Sequence, residues 1–189
     1  MDIAESLTIE HSKRMSMKIA AWIGTDRRRI RKLMQLFLSG ERIVAQRSAM
    51  AVDILATERP DLLRPYLHTM VKRMIEPDVH DAVRRCVLRM LQHIKIPSRL
   101  LGPVTCACFE FLSDHQSPTA IKAFAMSTLA GIAQKEPDLK EELRLVIQQQ
   151  LPYASAGFRS RAKQVLPSYG DPPFASGTSA PCRERRDRP

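Results

Sequence analysis

The feature that most constrains this chain is a set of apolar positions that recurs at intervals of 36 to 38 residues. Leu55, Leu91, Leu129 and Leu166 form one column, with successive steps of 36, 38 and 37 residues. The same steps relate a column of small residues and a mostly apolar column: Ala51, Val87, Ala125 and Ala162, and Ile54, Met90, Thr128 and Val165. A repeat that keeps its apolar positions in step over this length predicts a stack of similar structural units.

Each unit has the pattern of two short amphipathic helices joined by a tight turn. In residues 45–75, apolar side chains recur three and four positions apart on both sides of Pro60. Pro60 suits the first position of the second helix, where its missing N–H is not needed. Proline follows the first helix again at Pro97 and Pro137. Because one helical pair buries too little apolar surface to be stable alone, the units are expected to stack.

The repeat resembles HEAT repeats in particular and armadillo-type solenoids more broadly. The features that carry the resemblance are the period, the small residue inside the first helix, and Pro-Asp-Leu at Pro60–Leu62 and Pro137–Leu139. The resemblance covers roughly residues 6–166. It implies an all-α fold, a short right-handed α-α superhelix of about four helix pairs plus a half-repeat. We therefore expect a helical-repeat domain over residues 1–166.

The segment 167–189 has a different composition, with five prolines, two glycines and three serines in 23 residues and no apolar period. This composition predicts a disordered tail.

Helix boundaries follow from the apolar period and from the positions of glycine and proline. Pro103 is expected to delay the regular part of the sixth helix to about Gly102. Methionines such as Met50, Met70 and Met90 are expected in the core, because they fall on the apolar faces. The predicted helices are 4–22, 26–38, 41–57, 60–75, 78–94, 97–112, 119–135, 137–151 and 155–166.

The net charge of +10 favours polyanionic partners, whether nucleic acid, acidic proteins or anionic membrane surfaces, without choosing among them. No run approaches the roughly 18 apolar residues of a membrane span, and the first residues lack a basic-then-apolar signal pattern. A cytoplasmic location is the default expectation, and the cysteines are expected to be reduced thiols.

A basic cluster crowds the first turns of the helix predicted over 26–38. Cations are disfavoured at a helix N-terminus, so this placement slightly lowers stability. The cluster is therefore either a solvated outer face or a patch that binds an anion or a partner. Its residues are Arg27, Arg28, Arg31 and Lys32, with Arg29 between them.

A basic column occupies one place in four successive first helices. It consists of Ser48, Arg84, Lys122 and Arg159, and it is flanked by Arg47, Arg85 and Arg161. In a solenoid such a column becomes a ladder along one face. These residues are either ordinary exposed cations, which contribute little to stability, or a ladder that binds an anion or a partner.

Motifs for catalysis or for a cofactor are missing from the sequence. The cysteines and histidines do not have the spacing of metal ligands, and there is no glycine-rich phosphate loop or Gly-x-Ser-x-Gly motif. Carboxylates such as Asp53, Glu58 and Asp61 are assigned to helix surfaces and turns. We expect no catalytic residue, no metal, no cofactor and no small-molecule substrate.

Two functions from different classes remain. The resemblance implies a non-enzymatic protein-interaction scaffold or adaptor that binds a partner protein on its helical-repeat surface. The alternative is a nucleic-acid-binding module that engages the phosphate backbone through a basic face, as HEAT-like DNA glycosylases do. Glycosylase chemistry is not expected, because those enzymes need aromatic and acidic residues in the groove and Trp22, the only tryptophan, is predicted in the core. A helper in enzyme maturation, of the HEAT-like lyase type, rests on fold analogy alone.

The position of the cations separates these two functions. If the basic cluster and the basic column share one face, nucleic acid is favoured. If they point apart and an apolar groove is exposed, a protein partner is favoured.

Overall fold

The structure is a computed structural model that describes residues 2–166 of the chain. Within this range the chain forms eleven α-helices and two short 3₁₀ turns, and no strand. The helices are α1 (Ile3–Ile9), α2 (Lys13–Ile23), α3 (Arg27–Ser39), α4 (Arg42–Glu58), α5 (Pro60–Leu63), α6 (Leu67–Ile75), α7 (Asp81–Leu91), α8 (Ser98–Ser113), α9 (Thr119–Ala133), α10 (Leu139–Gln150) and α11 (Ala156–Val165). The 3₁₀ turns are Arg64–Tyr66 and Leu151–Tyr153. The tail predicted for 167–189 lies outside the described residues.

The chain alternates between two rows of helices, and α3, α6 and α8 of the second row each pack against the first-row helix that follows, namely α4, α7 and α9. Helix α5 packs against α4, α10 packs against α9, and α11 follows as a half-repeat. Helices α2, α4, α7, α9 and α11 pack side by side, and we call them the first-helix row. Helices α3, α6, α8 and α10 form the second-helix row, in which neighbours contact one another less extensively. This arrangement confirms the all-α helical-repeat fold that the sequence predicts.

The repeat columns lie in the apolar layer between the two rows. Leu55, Leu91, Leu129 and Leu166 are all buried, and so are the four small residues of the second column. Thr128, the polar member of the third column, is also buried, and its hydroxyl donates to the carbonyl of Leu88 on the neighbouring helix at 3.3 Å. Met90 and Val165 of the third column are buried as well, and Ile54 is half-buried. The leucine column and the small-residue column therefore occupy equivalent places in successive repeats, as the alignment predicts.

Local polar chemistry explains several helix starts. The side chain of Asp26 accepts hydrogen bonds from the backbone N–H groups of Arg28 and Arg29 at 2.8 and 3.2 Å, and so caps α3. Ser12 and Ser155 cap α2 and α11 in the same way. Pro60 occupies the first position of α5, as predicted.

Three predicted helices differ from the observed ones. The helix predicted over 4–22 is two helices, because Ser12 caps α2 and the chain is extended at Glu10. The helix predicted over 60–75 is interrupted by the 3₁₀ turn at Pro65, which has no N–H for the helical hydrogen bond. Helix α8 is regular from Ser98, not from Gly102, and the exposed ring of Pro103 lies inside it.

The leucine column gives a test of the core. Leu91→Ala and Leu129→Ala are each expected to lower the free energy of unfolding by about 2–5 kcal/mol, because each removes a buried side chain and leaves a cavity. Leu145 is 46% exposed on α10, so Leu145→Ala serves as the control and is expected to change stability by less than about 0.5 kcal/mol. Urea denaturation of the three variants measures these differences. A neutral Leu91→Ala would contradict the packing described here.

Candidate functional site

The basic column lies where one helical pair meets the next, and Arg84 shows why. Its guanidinium donates to the backbone carbonyls of Met74, Glu76 and Pro77, at distances of 3.4, 2.9 and 2.8 Å. It also lies over the ring of Phe111, 5.5 Å from the ring centre. The side chain is only 20% exposed. Arg84 therefore satisfies carbonyl groups that the end of α6 leaves without intrahelical partners.

The other members of the basic column also bond to the fold. The Lys122 ammonium donates to Gln150 Oε1 at 2.9 Å, and Gln150 Nε2 donates to the carbonyl of Leu112 near the end of α8 at 2.6 Å. Burial lowers the pKa of Lys122. Arg159 is exposed, and its guanidinium donates to the carbonyl of Ala154 at 2.6 Å. Ser48 is fully buried. The expectation of an exposed column is therefore wrong at Ser48, which is buried, and at Arg84 and Lys122, which are half-buried.

The three flanking arginines have different environments. Arg47 donates to the carbonyls of Leu7 and Thr8 at 2.9 and 2.8 Å, and so holds the end of α1 against α4. Arg85 is exposed and Arg161 is half-buried. Within residues 2–166, neither Arg85 nor Arg161 forms a side-chain hydrogen bond or ion pair.

The basic cluster on α3 lies apart from the basic column. Arg27, Arg28, Arg31 and Lys32 are exposed, and their side chains form no ion pair with other described residues. Arg29 differs, because it stacks on the Trp22 ring at 4.0 Å and donates to the Trp22 carbonyl at 2.5 Å.

The course of the chain separates these two sets of cations. The cluster lies at the N-terminus of a helix in the second-helix row. The column lies near the N-termini of helices in the first-helix row. The two rows run in opposite directions, so the two sets lie at opposite edges of the stack.

A groove crosses the outward face of the first-helix row between α4, α7 and α9. It encloses about 350 Å³ and contains small residues together with the exposed side of Met50 and the half-buried Phe124. We call it the central groove. Its lining residues are His11, Gln46, Ala49, Met50, Asp53, Ala82, Arg85, Cys86, Arg89, Ala120 and Phe124.

The central groove is built from equivalent positions of successive repeats. Met50, Cys86 and Phe124 share one column of the alignment, and Asp53 and Arg89 share another. Met70 and Met90 are buried as predicted, whereas Met50 is 37% exposed because its column faces outward. The sequence assigned Met50 to the core and Asp53 to an ordinary surface, and so it missed the groove. The repeat alignment already contains these columns.

An ion pair lies inside the central groove. Arg89 Nη1 lies 2.7 Å from Asp53 Oδ2. Asp53 Oδ1 is buried and has no hydrogen-bond partner among the described residues. Burial raises the pKa of Asp53, while the positive charges of Arg89, Arg85 and His93 act in the opposite direction. The groove therefore contains a desolvated carboxylate with a free acceptor atom.

A second, wider cavity of about 850 Å³ lies beside the C-terminal halves of α7, α9 and α11. Ser127 and Gly131 of α9 border it, while Ala120 and Phe124 of the same helix border the central groove. The outward face of α9 therefore connects the two cavities.

Within residues 2–166 no three His, Cys, Asp or Glu side chains come together as a possible metal site. Cys86 and Cys108 are free thiols that burial keeps protonated, since it raises the pKa of Cys108 to about 12 and that of Cys86 further still. No helix in the same range is long and apolar enough to cross a membrane.

The family model of the HEAT repeat domain matches residues 3–169. This match covers most of the chain and all of the helices described above, and the chain belongs to that family. No curated protein and no solved structure matches the chain.

Arg84→Ala is expected to lower the free energy of unfolding by about 1–3 kcal/mol, because three backbone carbonyls lose their donor. The neighbouring Arg85→Ala removes the same charge from an exposed, unbonded side chain, and is expected to change stability by less than about 0.5 kcal/mol. Urea denaturation distinguishes the two variants. Equal effects would show that the hydrogen bonds from the Arg84 guanidinium to the end of α6 do not stabilise the fold in solution.

Asp53→Asn tests the electrostatics of the central groove. The raised pKa means that the folded chain binds more protons than the unfolded chain just above the ordinary value of 3.8, so the stability due to Asp53 falls as the pH rises. Asparagine does not titrate. The melting temperature of Asp53→Asn minus that of the wild type is therefore expected to be higher at about pH 7 than at about pH 4. A difference that grows on acidification would contradict the raised pKa.

Proposed function

We propose that this protein is a non-enzymatic interaction scaffold, which binds a partner protein along the outward face of its first-helix row. The observation that carries the proposal is the central groove. It crosses three successive first helices and combines an exposed Met50 with a half-buried Phe124. In this proposal residues 1–166 form the binding domain and residues 167–189 form a tail.

The chemistry of the central groove suits a polypeptide segment. Apolar side chains of a partner can cover Met50 and Phe124, which removes apolar surface from water. This contact increases in value when the partner excludes water from the groove.

A nucleic-acid-binding module is the second candidate, and the exposed basic cluster on α3 supports it. Arg27, Arg28, Arg31 and Lys32 are available to phosphate groups. Two observations favour the scaffold. The cations of the basic column bond to the fold, and the cluster lies at the opposite edge of the stack from them. A duplex on one face would therefore meet only one of the two sets.

Met50→Glu tests the scaffold. Glutamate is compatible with a helix and places a charge on the apolar wall of the central groove. Recovery of partner proteins from an extract by the immobilised chain is expected to fall by roughly tenfold, as for the loss of an interface anchor. Leu145→Glu is the matched control, because Leu145 is a similarly exposed apolar residue on the second-helix row. Equal recovery by both variants would contradict the proposed binding face.

A titration with double-stranded DNA at two salt concentrations tests the second candidate. For a scaffold, the Kd near physiological salt is expected to be weaker than about 10⁻⁴ M and insensitive to alanine substitution of the whole basic cluster. A tight, steeply salt-dependent affinity that the alanine substitutions abolish would favour the nucleic-acid module instead.

A further inference from the structure

The outward face of α9 carries no charge. Helix α9 has a single charged residue, Lys122, which bonds to Gln150. The outward positions are Ala120, Phe124, Ser127 and Gly131, spaced four, three and four residues apart on one side of the helix. A Cβ placed on Gly131 would have no neighbouring atom within 4 Å, so the space above this residue is open. From Ala120 to Gly131 this face extends for about 16 Å.

Arginine side chains lie on both sides of this uncharged face. Arg85 and Arg89 belong to α7 on one side, and Arg161 belongs to α11 on the other. We call the face together with these arginines the trough. Arg85 and Arg161 are free of ion pairs within residues 2–166, whereas Arg89 pairs with Asp53.

The trough and the two cavities that it joins have an excess of positive charge. The five cations are Arg85, Arg89, Lys95, Lys135 and Arg161, and the two carboxylates are Asp53 and Glu136. A concave, partly apolar surface concentrates this potential, which attracts negative charge and repels positive charge.

We propose that the trough binds an acidic amphipathic segment of a partner protein. An apolar side chain of the segment rests on Phe124 and the small residues of α9. Carboxylates on its two flanks pair with Arg85 and Arg161. This inference rests on the proposed scaffold function and adds the chemistry of the partner. The apolar contact supplies most of the affinity, and the charge pairs select the partner and orient it.

The floor of the trough favours a polypeptide over a nucleic acid. A phosphate backbone would find no cation along the roughly 16 Å of uncharged α9 surface, and the Ser127 hydroxyl there already donates to the carbonyl of Ala123 at 3.0 Å. Single-stranded nucleic acid gains affinity by stacking on several aromatic rings. Phe124 is the only phenylalanine, tyrosine or tryptophan among the residues that line the trough and its two cavities, which also contain the smaller rings of His11 and His93. An amphipathic segment matches both the floor and the walls.

Selection of displayed random dodecapeptides on the immobilised full chain tests this inference without knowledge of the natural partner. The enriched peptides are expected to carry a net negative charge around at least one large apolar residue. Their affinity, measured by fluorescence anisotropy with labelled peptide, is expected to fall at least about tenfold in the double variant Arg85→Glu/Arg161→Glu.

The control is the double variant Arg28→Glu/Arg31→Glu, which changes the net charge by the same amount on the exposed face of α3. It is expected to leave the peptide affinity within about twofold of the wild type, because charges beyond a Debye length are largely screened. Melting curves of both double variants verify that each chain is folded.

The possible outcomes separate this inference from the scaffold function. The enriched peptides could instead be neutral or basic and bind the Met50→Glu variant more weakly than the wild type. This result would overturn the acidic partner and would still support the scaffold function. Acidic peptides that respond equally to both double variants would also overturn it, because the attraction would then be unspecific. If no peptide is enriched, both proposals fail. Binding of a single-stranded oligonucleotide that Arg85→Glu/Arg161→Glu abolishes would then assign the trough to nucleic acid.

Discussion

The apolar layer between the two helix rows is the interaction on which the rest of this structure depends. Leu55, Leu91, Leu129 and Leu166 occupy the same place in that layer, and each is buried in the one continuous apolar core. No pair could bury its apolar face alone, so each repeat needs the next one. The order of the helices, the direction of each row and the outward position of the central groove all follow from this layer.

The apolar layer supplies no hydrogen-bond donors to the backbone carbonyls at the helix C-termini. Basic side chains supply several of these donors. Arg47, Arg84 and Arg159 each reach back to carbonyl groups at or beyond the end of a preceding helix, and Lys122 supports Gln150 in the same task. A positive group is favoured at a helix C-terminus, where the macrodipole is negative. Part of the net charge of +10 is therefore structural. A high net charge alone was a weak argument for a polyanionic ligand.

The cations that matter for binding are those that the fold leaves free. Arg85 is the residue next to Arg84, but it does not face the end of α6, because successive residues of a helix are rotated by about 100°. It borders the central groove, where small residues, an exposed Met50 and the Arg89–Asp53 ion pair occur together. A surface of this kind is suited to a polypeptide that covers the apolar part and pairs with the charges. The proposed partner segment follows from that combination rather than from the charge alone.

The repeat, the alternation of helices and the buried columns can be predicted from the amino-acid sequence, because burial between similar units requires similar residue types to recur at a nearly constant interval. The sequence located most helix ends, since caps and prolines act within a few residues. It failed at Glu10, Pro65 and Pro103, where the boundaries depend on local geometry. Which helix faces remain open depends on the tertiary packing. Arg84 and Arg85 have the same chemistry and are adjacent in sequence. Yet Arg84 donates to backbone carbonyls at the end of α6, whereas Arg85 borders the central groove. That difference depends on which neighbouring helix each side chain meets, and the contact is made by residues distant in the chain.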